Sequence, residues 1–458
     1  MIVVKFGGTS VGDADAIRRA TDIVRGRSGR EPVVVVSALG GATNALLAIA
    51  EQAARGQLIG ALRGVEALRD RHLQQAVALL SDASACDDVS CELGATFDEL
   101  AHLAEALSVL GDLTPRSQDA IASMGERLSS QLVTAAMLAA GLPAAHVEAR
   151  EVMITDDCYT RAEPQPDAIA EAARRIVLPL VRAGQIPVLG GYIGATTRGV
   201  TTTLGRGGSD YSAALLGAAL GADSIEIWTD VDGMLTADPR VVDGARLIAQ
   251  IRFDEASELA AFGAKVLHPS TIAPAVERGI PVWIYNSRNP EGTGTRITHE
   301  APRRSVSAIA ARNGITLVRL GTPRMLLTHG FLRRFFEVFE RHKVSVDIVA
   351  TSEVSVSVTI EDVTALQELL VDLRELGDVT VSRDKGVLAV VGAGLGDGGE
   401  AMGRALAALS GVRIHLLSLS AAGINMSIVV DGDQTAPSMR KLHDAFFAPN
   451  APAADGGV

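Results

Sequence analysis

Ile2-Val3-Val4-Lys5-Phe6-Gly7-Gly8-Thr9-Ser10 is a short apolar run that breaks on two glycines. Residues 32–37, Pro-Val-Val-Val-Val-Ser, repeat the pattern and also end in small residues. β-branched runs bounded by such turns read as strands. Between about 45 and 140 the chain is rich in Ala, Leu, Glu and Gln at helical spacing, which predicts a largely helical stretch. Helix and strand then alternate: helix over 167–183, strand over 186–189, helix over 209–220, strand over 224–228. Helical segments at 255–262 and 272–278 precede a strand at 281–285. Apolar strands separated by helices predict an α/β fold with a mostly parallel sheet covered on both faces. In such sheets ligands sit where the loops converge, at the carboxyl ends of the strands.

Composition bounds what this fold can serve. The chain has 458 residues, 42 Lys plus Arg against 54 Asp plus Glu, and a formal charge of −12. Such a length allows two to four domains. With 47 % hydrophobic and 21 % charged residues, a largely disordered chain is excluded. The acidic balance argues against nucleic acid or an anionic membrane as partner. Any anionic ligand is therefore held locally, by backbone amides and a few placed cations. Aromatics are only 3 %, while glycines number 46, so tight turns outnumber stacking platforms. Cys86, Cys91 and Cys158 are too few for a disulfide framework and wrongly spaced for zinc, and read as reduced structural thiols. No apolar run reaches about 18 residues, which predicts no membrane span. The start carries no secretory signal pattern, and the expected compartment is the cytoplasm.

Residues 286–304 mix Asn, Pro, Gly, Thr and Arg, which predicts a linker or a long edge loop. Beyond it the chain repeats itself. Val344-Ser345-Val346-Asp347 aligns with Val412-Arg413-Ile414-His415, and Ser352 with Ser420, an offset of 68 in each case (412 − 344, 420 − 352). Each copy reads as strand, helix, hairpin and helix, with helices at 331–342 and 401–409 and hairpins at 352–360 and 420–430. Two α/β units of about 70 residues fit the remaining length.

Several motifs carry chemistry. In Lys5-Phe6-Gly7-Gly8-Thr9-Ser10 the glycines let backbone N–H groups approach a phosphate, and Lys5 adds a positive charge. A plain strand-to-helix turn with a surface lysine explains the same letters. The phosphate-loop pattern G-x-x-x-x-G-K-[ST] is absent from the chain. Leu204-Gly205-Arg206-Gly207-Gly208-Ser209-Asp210-Tyr211 opens directly into a helix, where Arg206 can fork onto a carboxylate and Asp210 serves either the site or a helix cap. Trp228-Thr229-Asp230-Val231-Asp232-Gly233 ends a strand and leads to Ala237-Asp238-Pro239-Arg240; its acids suit a nucleoside or Mg²⁺, or merely a turn. Phe262-Gly263-Ala264-Lys265-Val266-Leu267-His268-Pro269 places a lysine after a helix, the common position of a solvated one. Gly394-Leu395-Gly396-Asp397-Gly398-Gly399 satisfies G-x-G-x-x-G, but His415 and Leu416 stand where a dinucleotide site needs an acid, and too little chain follows.

Taken in order with Ser37, Gly41-Ala42-Thr43-Asn44 and Gly125-Glu126-Arg127, these motifs closely resemble aspartate kinase of the amino-acid kinase family. The tail resembles the paired ACT regulatory domains of the same enzymes. The resemblance implies an amino-acid kinase fold followed by two ferredoxin-like ACT units. Expected bounds are 1–300 for the catalytic domain, 312–383 for a first, effector-binding ACT unit and 384–448 for a second. It implies phosphorylation of the β-carboxylate of L-aspartate by MgATP, in the cytoplasm, by a homodimer or higher homo-oligomer joined through the ACT units.

The implied roles fall on individual residues. Lys5 and Asp210 are catalytic, Lys5 on the transferring phosphoryl group and Asp210 orienting it. Arg206 holds the substrate α-carboxylate, Glu126 its ammonium group, and Thr43 with Ser37 and Ser209 the side-chain carboxylate. Lys5, Gly7, Gly8, Thr9, Thr229, Asp230, Leu235, Arg240, Lys265 and Val266 match nucleotide-binding positions. Many relatives carry Tyr where this chain has Leu235, so an aromatic contact near the nucleotide is lost. No protein metal site beyond the nucleotide's Mg²⁺ is implied.

Met325, Thr328, Phe331, Leu332, Ser345, Val346, Asp347, Ser352 and Glu353 resemble the effector positions of lysine-sensitive aspartate kinases. In the second repeat His415 and Ala421 replace Asp347 and Glu353, so L-lysine is expected at the first repeat alone. Other kinases of the family, acting on acetylglutamate, glutamate or carbamate, lack this motif combination. A catalytically silent sensor would not need Lys5 and Asp210.

Overall fold

The computed structural model describes residues 1–262, 269–326 and 328–448. The chain forms two compact units, Met1–Met234 with Val266–His299, and Leu235–Lys265 with Glu300–Val458. In the first unit, strands lie in the order Ala144–Val147, Ile186–Gly190, Pro32–Val36, Ile2–Phe6, Ser224–Thr229, Val282–Asn286 and Thr295–Ile297. Neighbours are parallel except for the last pair. Ile2 sits opposite Pro32 on one side and Ser224 on the other, so Ile2–Phe6 is a central strand. All its residues are buried, which is why its sequence is nearly all apolar.

Residues 286–304 are more than a linker. Thr295–Ile297 pairs antiparallel with Val282–Asn286. Gly294, at φ +64°, makes the return, and a Cβ there would lie 2.5 Å from the Ile284 carbonyl oxygen. Polar turn letters hid a three-residue strand that has no hydrophobic run of its own.

The helical stretch resolves into Ala42–Ala54, Leu58–Leu79, Ala83–Leu110, Pro115–Ala122 and Met124–Ala139. Their apolar residues, with Ile17 and Val24 of helix Ala14–Arg25, join Val34, Val36 and Phe6 in one core. One acid lies inside this sheet. Glu226 is 1 % exposed and accepts hydrogen bonds from Arg27 and Arg30, each at 3.0 Å. A buried carboxylate is tolerable because it is paired and bonded.

Glycines set how closely helices approach the carboxyl ends of the strands. After strand Ile186–Gly190, a Cβ on Gly191 would lie 2.8 Å from Ser209 Cα and 2.9 Å from Val35 Cγ1. The start of helix Gly208–Leu220 is thus pressed onto the sheet.

The second unit holds an antiparallel sheet in the order Val349–Ser352, Ser355–Ile360, Ala308–Gly321, Asp378–Val391, Asn425–Asp431, Leu416–Leu419. Two 14-residue strands, Ala308–Gly321 and Asp378–Val391, are shared by both repeats. The register between them shifts near Asn313 and Ile315. Helices Phe331–Arg341 and Leu366–Leu376 cover one half, around Phe335, Val318 and Val358. Helices Glu400–Ala408 and Thr435–Phe447 cover the other, around Leu388, Ile428 and Leu442. The strands at opposite ends of the order, Val349–Ser352 and Leu416–Leu419, come together. Ile315, Leu317, Ile348, Val387, Leu416 and Val429 fill the interior so formed, giving a barrel-like curl.

Gly191→Ala is expected to destabilise the protein by about 1–3 kcal/mol, the usual cost of overpacking. Gly29→Ala meets nothing within 4 Å and serves as the control. Urea unfolding of both variants checks this; equal midpoints would contradict it.

Candidate active site

Lys5 is the one charged residue of the central strand Ile2–Phe6 and is 7 % exposed. Its Nζ lies 2.5 Å from Oδ1 of Asp210, in the first turn of helix Gly208–Leu220. Gly207, at φ +74°, is the N-cap of that helix. The Gly7 amide donates to the Trp228 carbonyl at 3.0 Å, and a Cβ on Gly8 would lie 3.0 Å from the Ala38 carbonyl oxygen. Turns after strands Ile2–Phe6 and Pro32–Val36 therefore pack backbone to backbone, as glycine permits.

A cavity of about 720 Å³ opens over these strand ends. Lys5, Gly8, Ser37, Thr43, Glu126, Arg206, Ser209 and Asp210 line it, so the structure collects the catalytic and substrate-binding candidates in one place. Gly7 and Thr9 belong to the same turn without lining the cavity. Thr229 and Asp230 follow the neighbouring strand, where the Thr229 hydroxyl donates to Asp230 at 3.3 Å. Leu235 and Arg240 belong to the second unit. There Leu235 bridges to Leu247, and the exposed Arg240 forks onto Asp238 at 3.0 and 2.6 Å. Lys265 and Val266 lie outside the described residues.

Charges in the cavity divide into a matched and an unmatched pair. Lys5 and Asp210 satisfy each other. Glu126, in helix Met124–Ala139, is 4 % exposed and its Oε2 has no hydrogen-bond partner. Burial pushes its carboxyl up to about 8, against smaller lowering effects from the Ala38 backbone, its own backbone and the Lys5 charge. Arg206 is exposed and has no ion-pair partner among the described residues. An unpaired guanidinium and a carboxyl with one unpartnered oxygen in one cavity suit the carboxylate of an α-amino acid and, once the carboxyl ionises against it, the ammonium.

Tyr192, Gln118 and Thr160 also line the cavity and escaped the sequence reading, and Asn44, which the sequence reading gave only as part of a motif, lines it too. Tyr192 had a usable signal, since it follows Gly190-Gly191 at a strand's carboxyl end. It stands at φ +66°, and burial raises its phenol above the ordinary value, opposed by a hydrogen bond with Thr203.

The effector candidates lie in the second unit. Ser345, Val346 and Asp347 follow helix Phe331–Arg341, and the Asp347 amide donates to Thr359 at 3.0 Å. Desolvation and the nearby Glu361 hold the Asp347 carboxyl above its ordinary range, with Arg312 opposing. Val346 and Asp347 line a cavity of about 440 Å³. Ser352 shares a 2.8 Å hydrogen bond with Ser355, and Glu353 stands in the following turn. Met325 and Thr328 precede the helix and Leu332 is exposed on it, whereas Phe331 is buried in the core of the first repeat. At the place of Asp347 the second repeat has His415, whose ring pairs with Asp431 at 2.8 Å beside Lys385 at 2.7 Å.

Comparison with known proteins agrees with this geometry. Residues 1–286 match the amino acid kinase family and residues 388–446 match an ACT domain. The lysine-sensitive aspartokinase 3 of Escherichia coli is 37 % identical over 98 % of this chain and 99 % of its own length. The chain belongs to the aspartokinase family. Chloroplastic aspartokinase 2 of Arabidopsis thaliana is 32 % identical, over 97 % of this chain and 84 % of its own. Escherichia coli aspartokinase III in complex with lysine and aspartate, in the T-state, superposes with a TM-score of 0.83 at 37 % identity, covering 98 % of this chain and 99 % of that one. Its R-state complex with aspartate and ADP also gives 0.83, at 36 % identity, over 98 % of this chain and 100 % of the other. Membership places the second unit among allosteric regulatory modules. Among the described residues no helix is long and apolar enough to cross a membrane.

Glu126 generates a pH prediction. Its carboxyl stands near 8 in the folded chain against an ordinary 4.5, so the folded state binds the extra proton between those values. Stability from this group is present below about 4.5 and is lost as pH rises toward 8. Glu126→Gln is therefore expected to melt higher than the parent at pH 8.5, with the gap closing near pH 5. Thermal melts across that range check it, and a gap constant with pH would contradict it.

Proposed function

We propose that this chain transfers the γ-phosphoryl group of ATP to the β-carboxylate of L-aspartate, giving 4-phospho-L-aspartate. This is the first step of lysine, threonine and methionine biosynthesis. The observation that carries the substrate assignment is the unmatched Glu126 and Arg206 in one cavity with the matched Lys5 and Asp210. Arg206 takes the α-carboxylate and Glu126 the ammonium, leaving the side-chain carboxylate toward Thr43, Ser37 and Ser209.

The nucleophile is a carboxylate, already ionised near pH 7, so no general base is required. The obstacle is repulsion between two anions, and catalysis reduces to positioning and neutralisation. Lys5 supplies the positive charge on the phosphoryl group, and Asp210 fixes where its ammonium points. Gly7, Gly8 and Thr9 offer amide and hydroxyl donors, while Thr229 and Asp230 serve the nucleotide, with Leu235, Arg240, Lys265 and Val266 assigned there by family resemblance. Asp210 and Asp230 have the hard carboxylate oxygens that suit Mg²⁺, and no cluster of three candidate metal ligands occurs among the described residues. Mg²⁺ brought with ATP would add neutralising charge on the phosphates.

L-Lysine is the assigned inhibitor, bound at the first repeat through Asp347 and Glu353, with Met325, Thr328, Phe331, Leu332, Ser345, Val346 and Ser352 as the neighbouring positions. The second repeat spends its equivalent position on the His415–Asp431–Lys385 cluster. Inhibition requires two states that lysine binds unequally. The working form is a cytoplasmic homodimer or higher homo-oligomer joined through the ACT units, which span 312–383 and 384–448 after a catalytic domain of 1–300.

An ADP-release assay with MgATP tests the reaction: turnover should depend on aspartate, and its absence defeats the proposal. Lys5→Met is expected to lower kcat about 10³-fold. Arg206→Lys should raise KM for aspartate roughly tenfold or more, because the forked contact is lost. Asp347→Ala should abolish inhibition by lysine with turnover nearly intact; retained inhibition would remove Asp347 from the effector site.

A further inference from the structure

Asp119 lies in helix Pro115–Ala122, is 1 % exposed, and is not among the residues lining the cavity at the strand ends. Its Oδ2 accepts the backbone N–H of Thr160 at 2.8 Å and that of Thr203 at 3.0 Å. Its Oδ1 accepts the Thr203 hydroxyl at 2.7 Å. Burial raises this carboxyl above its ordinary value and the three hydrogen bonds oppose the rise. A group so desolvated is costly to keep unless its bonds hold something in place.

What they hold is the wall of the cavity. Thr160 lines it from a left-handed conformation, φ +70°, that β-branched residues avoid. Thr203 ends strand Thr201–Thr203, and Leu204-Gly205-Arg206 follows at once. The Ala162 amide donates to the Thr203 carbonyl at 2.9 Å, tying the two stretches together a second time. Gly205, at φ +76°, is so close that a Cβ would lie 3.1 Å from the Thr160 carbonyl oxygen. Gln118, the residue before Asp119, lines the cavity from a third direction.

We propose that Asp119 is a positioning residue for substrate binding, clamping the strained Thr160 turn to the Thr203–Arg206 turn so that Arg206 stands where it meets the α-carboxylate. This rests on the aspartate reading above. The hydrogen bonds of Asp119 go to Thr160 and Thr203, away from the Gly7–Thr9 and Thr229–Asp230 turns, so the effect is confined to one substrate.

The test is steady-state kinetics on the full chain, varying aspartate and ATP separately. Asp119→Ala is expected to raise KM for aspartate about tenfold or more and to leave KM for ATP within about twofold. Asp119→Asn keeps an acceptor for the two amides and can donate to the Thr203 hydroxyl, so it should restore KM for aspartate to within about threefold of the parent. An aspartate KM unmoved in Asp119→Ala, an equal shift in both KM values, or no rescue by Asn overturns the proposal. Should the Ala variant fail to fold by circular dichroism, Thr203→Val, read against a Tyr192→Phe control that loses only the Tyr192–Thr203 bond, removes the hydroxyl bond to Asp119. It should raise KM for aspartate about threefold or more, and an unchanged value overturns the proposal. A parent that shows no aspartate-dependent turnover fails the underlying reading instead.

Discussion

A lysine near the carboxyl end of a buried parallel strand is the constraint on which the first unit turns. Lys5 is only 7 % exposed on Ile2–Phe6, so its charge needs an anion at hand. Asp210 provides it at 2.5 Å, and can do so only because helix Gly208–Leu220 starts hard against the sheet. That close approach rests in turn on Gly190 and Gly191, whose missing side chains leave room for Glu126 and Ser209. One ion pair thus binds the strand, the helix start and the glycine turns into a single arrangement.

Against this satisfied pair, the unsatisfied groups acquire meaning. A buried carboxyl oxygen without a partner is unfavourable as a charge, and burial accordingly raises the Glu126 carboxyl above its ordinary value. Glu126 and Arg206 line, without an ion-pair partner among the described residues, the cavity in which Lys5 and Asp210 neutralise each other. The net charge of −12 is no obstacle to anionic substrates under these conditions, because the cations that matter are few and sited.

The second unit shows a different economy. Two ferredoxin-like repeats share both of their long strands, Ala308–Gly321 and Asp378–Val391, so neither is an independent sandwich. The upstream half of Ala308–Gly321 pairs with the end of Asp378–Val391 and serves the repeat later in the chain. Register shifts in this pair bend the sheet until its edge strands meet. Equivalent positions then diverge: Asp347 remains unpaired by any lysine or arginine bridge among the described residues, whereas His415 is tied to Asp431.

Sequence alone determined the alternation of strands and helices, the repeat at an offset of 68, and the motifs at the strand ends. Those features are local: a Val/Ile run, a Gly-Gly turn and a helical period each act within a few residues. Lys5, Arg206 and Asp210 stood out within contiguous motifs, whereas Ser37, Thr43, Glu126 and Ser209 entered through the family resemblance; the fold brings all seven to one cavity. Strand Thr295–Ile297 was not legible, since its pairing lies in the partner strand rather than in its own letters. Only the tertiary structure decided that Lys5 is neutralised while Glu126 and Arg206 are not, that Tyr192 and Thr160 line the cavity, and that Asp119 is tied to residues 41 and 84 positions away. Burial and hydrogen-bond partnership depend on chain segments remote in sequence, and no local pattern encodes which of them will meet.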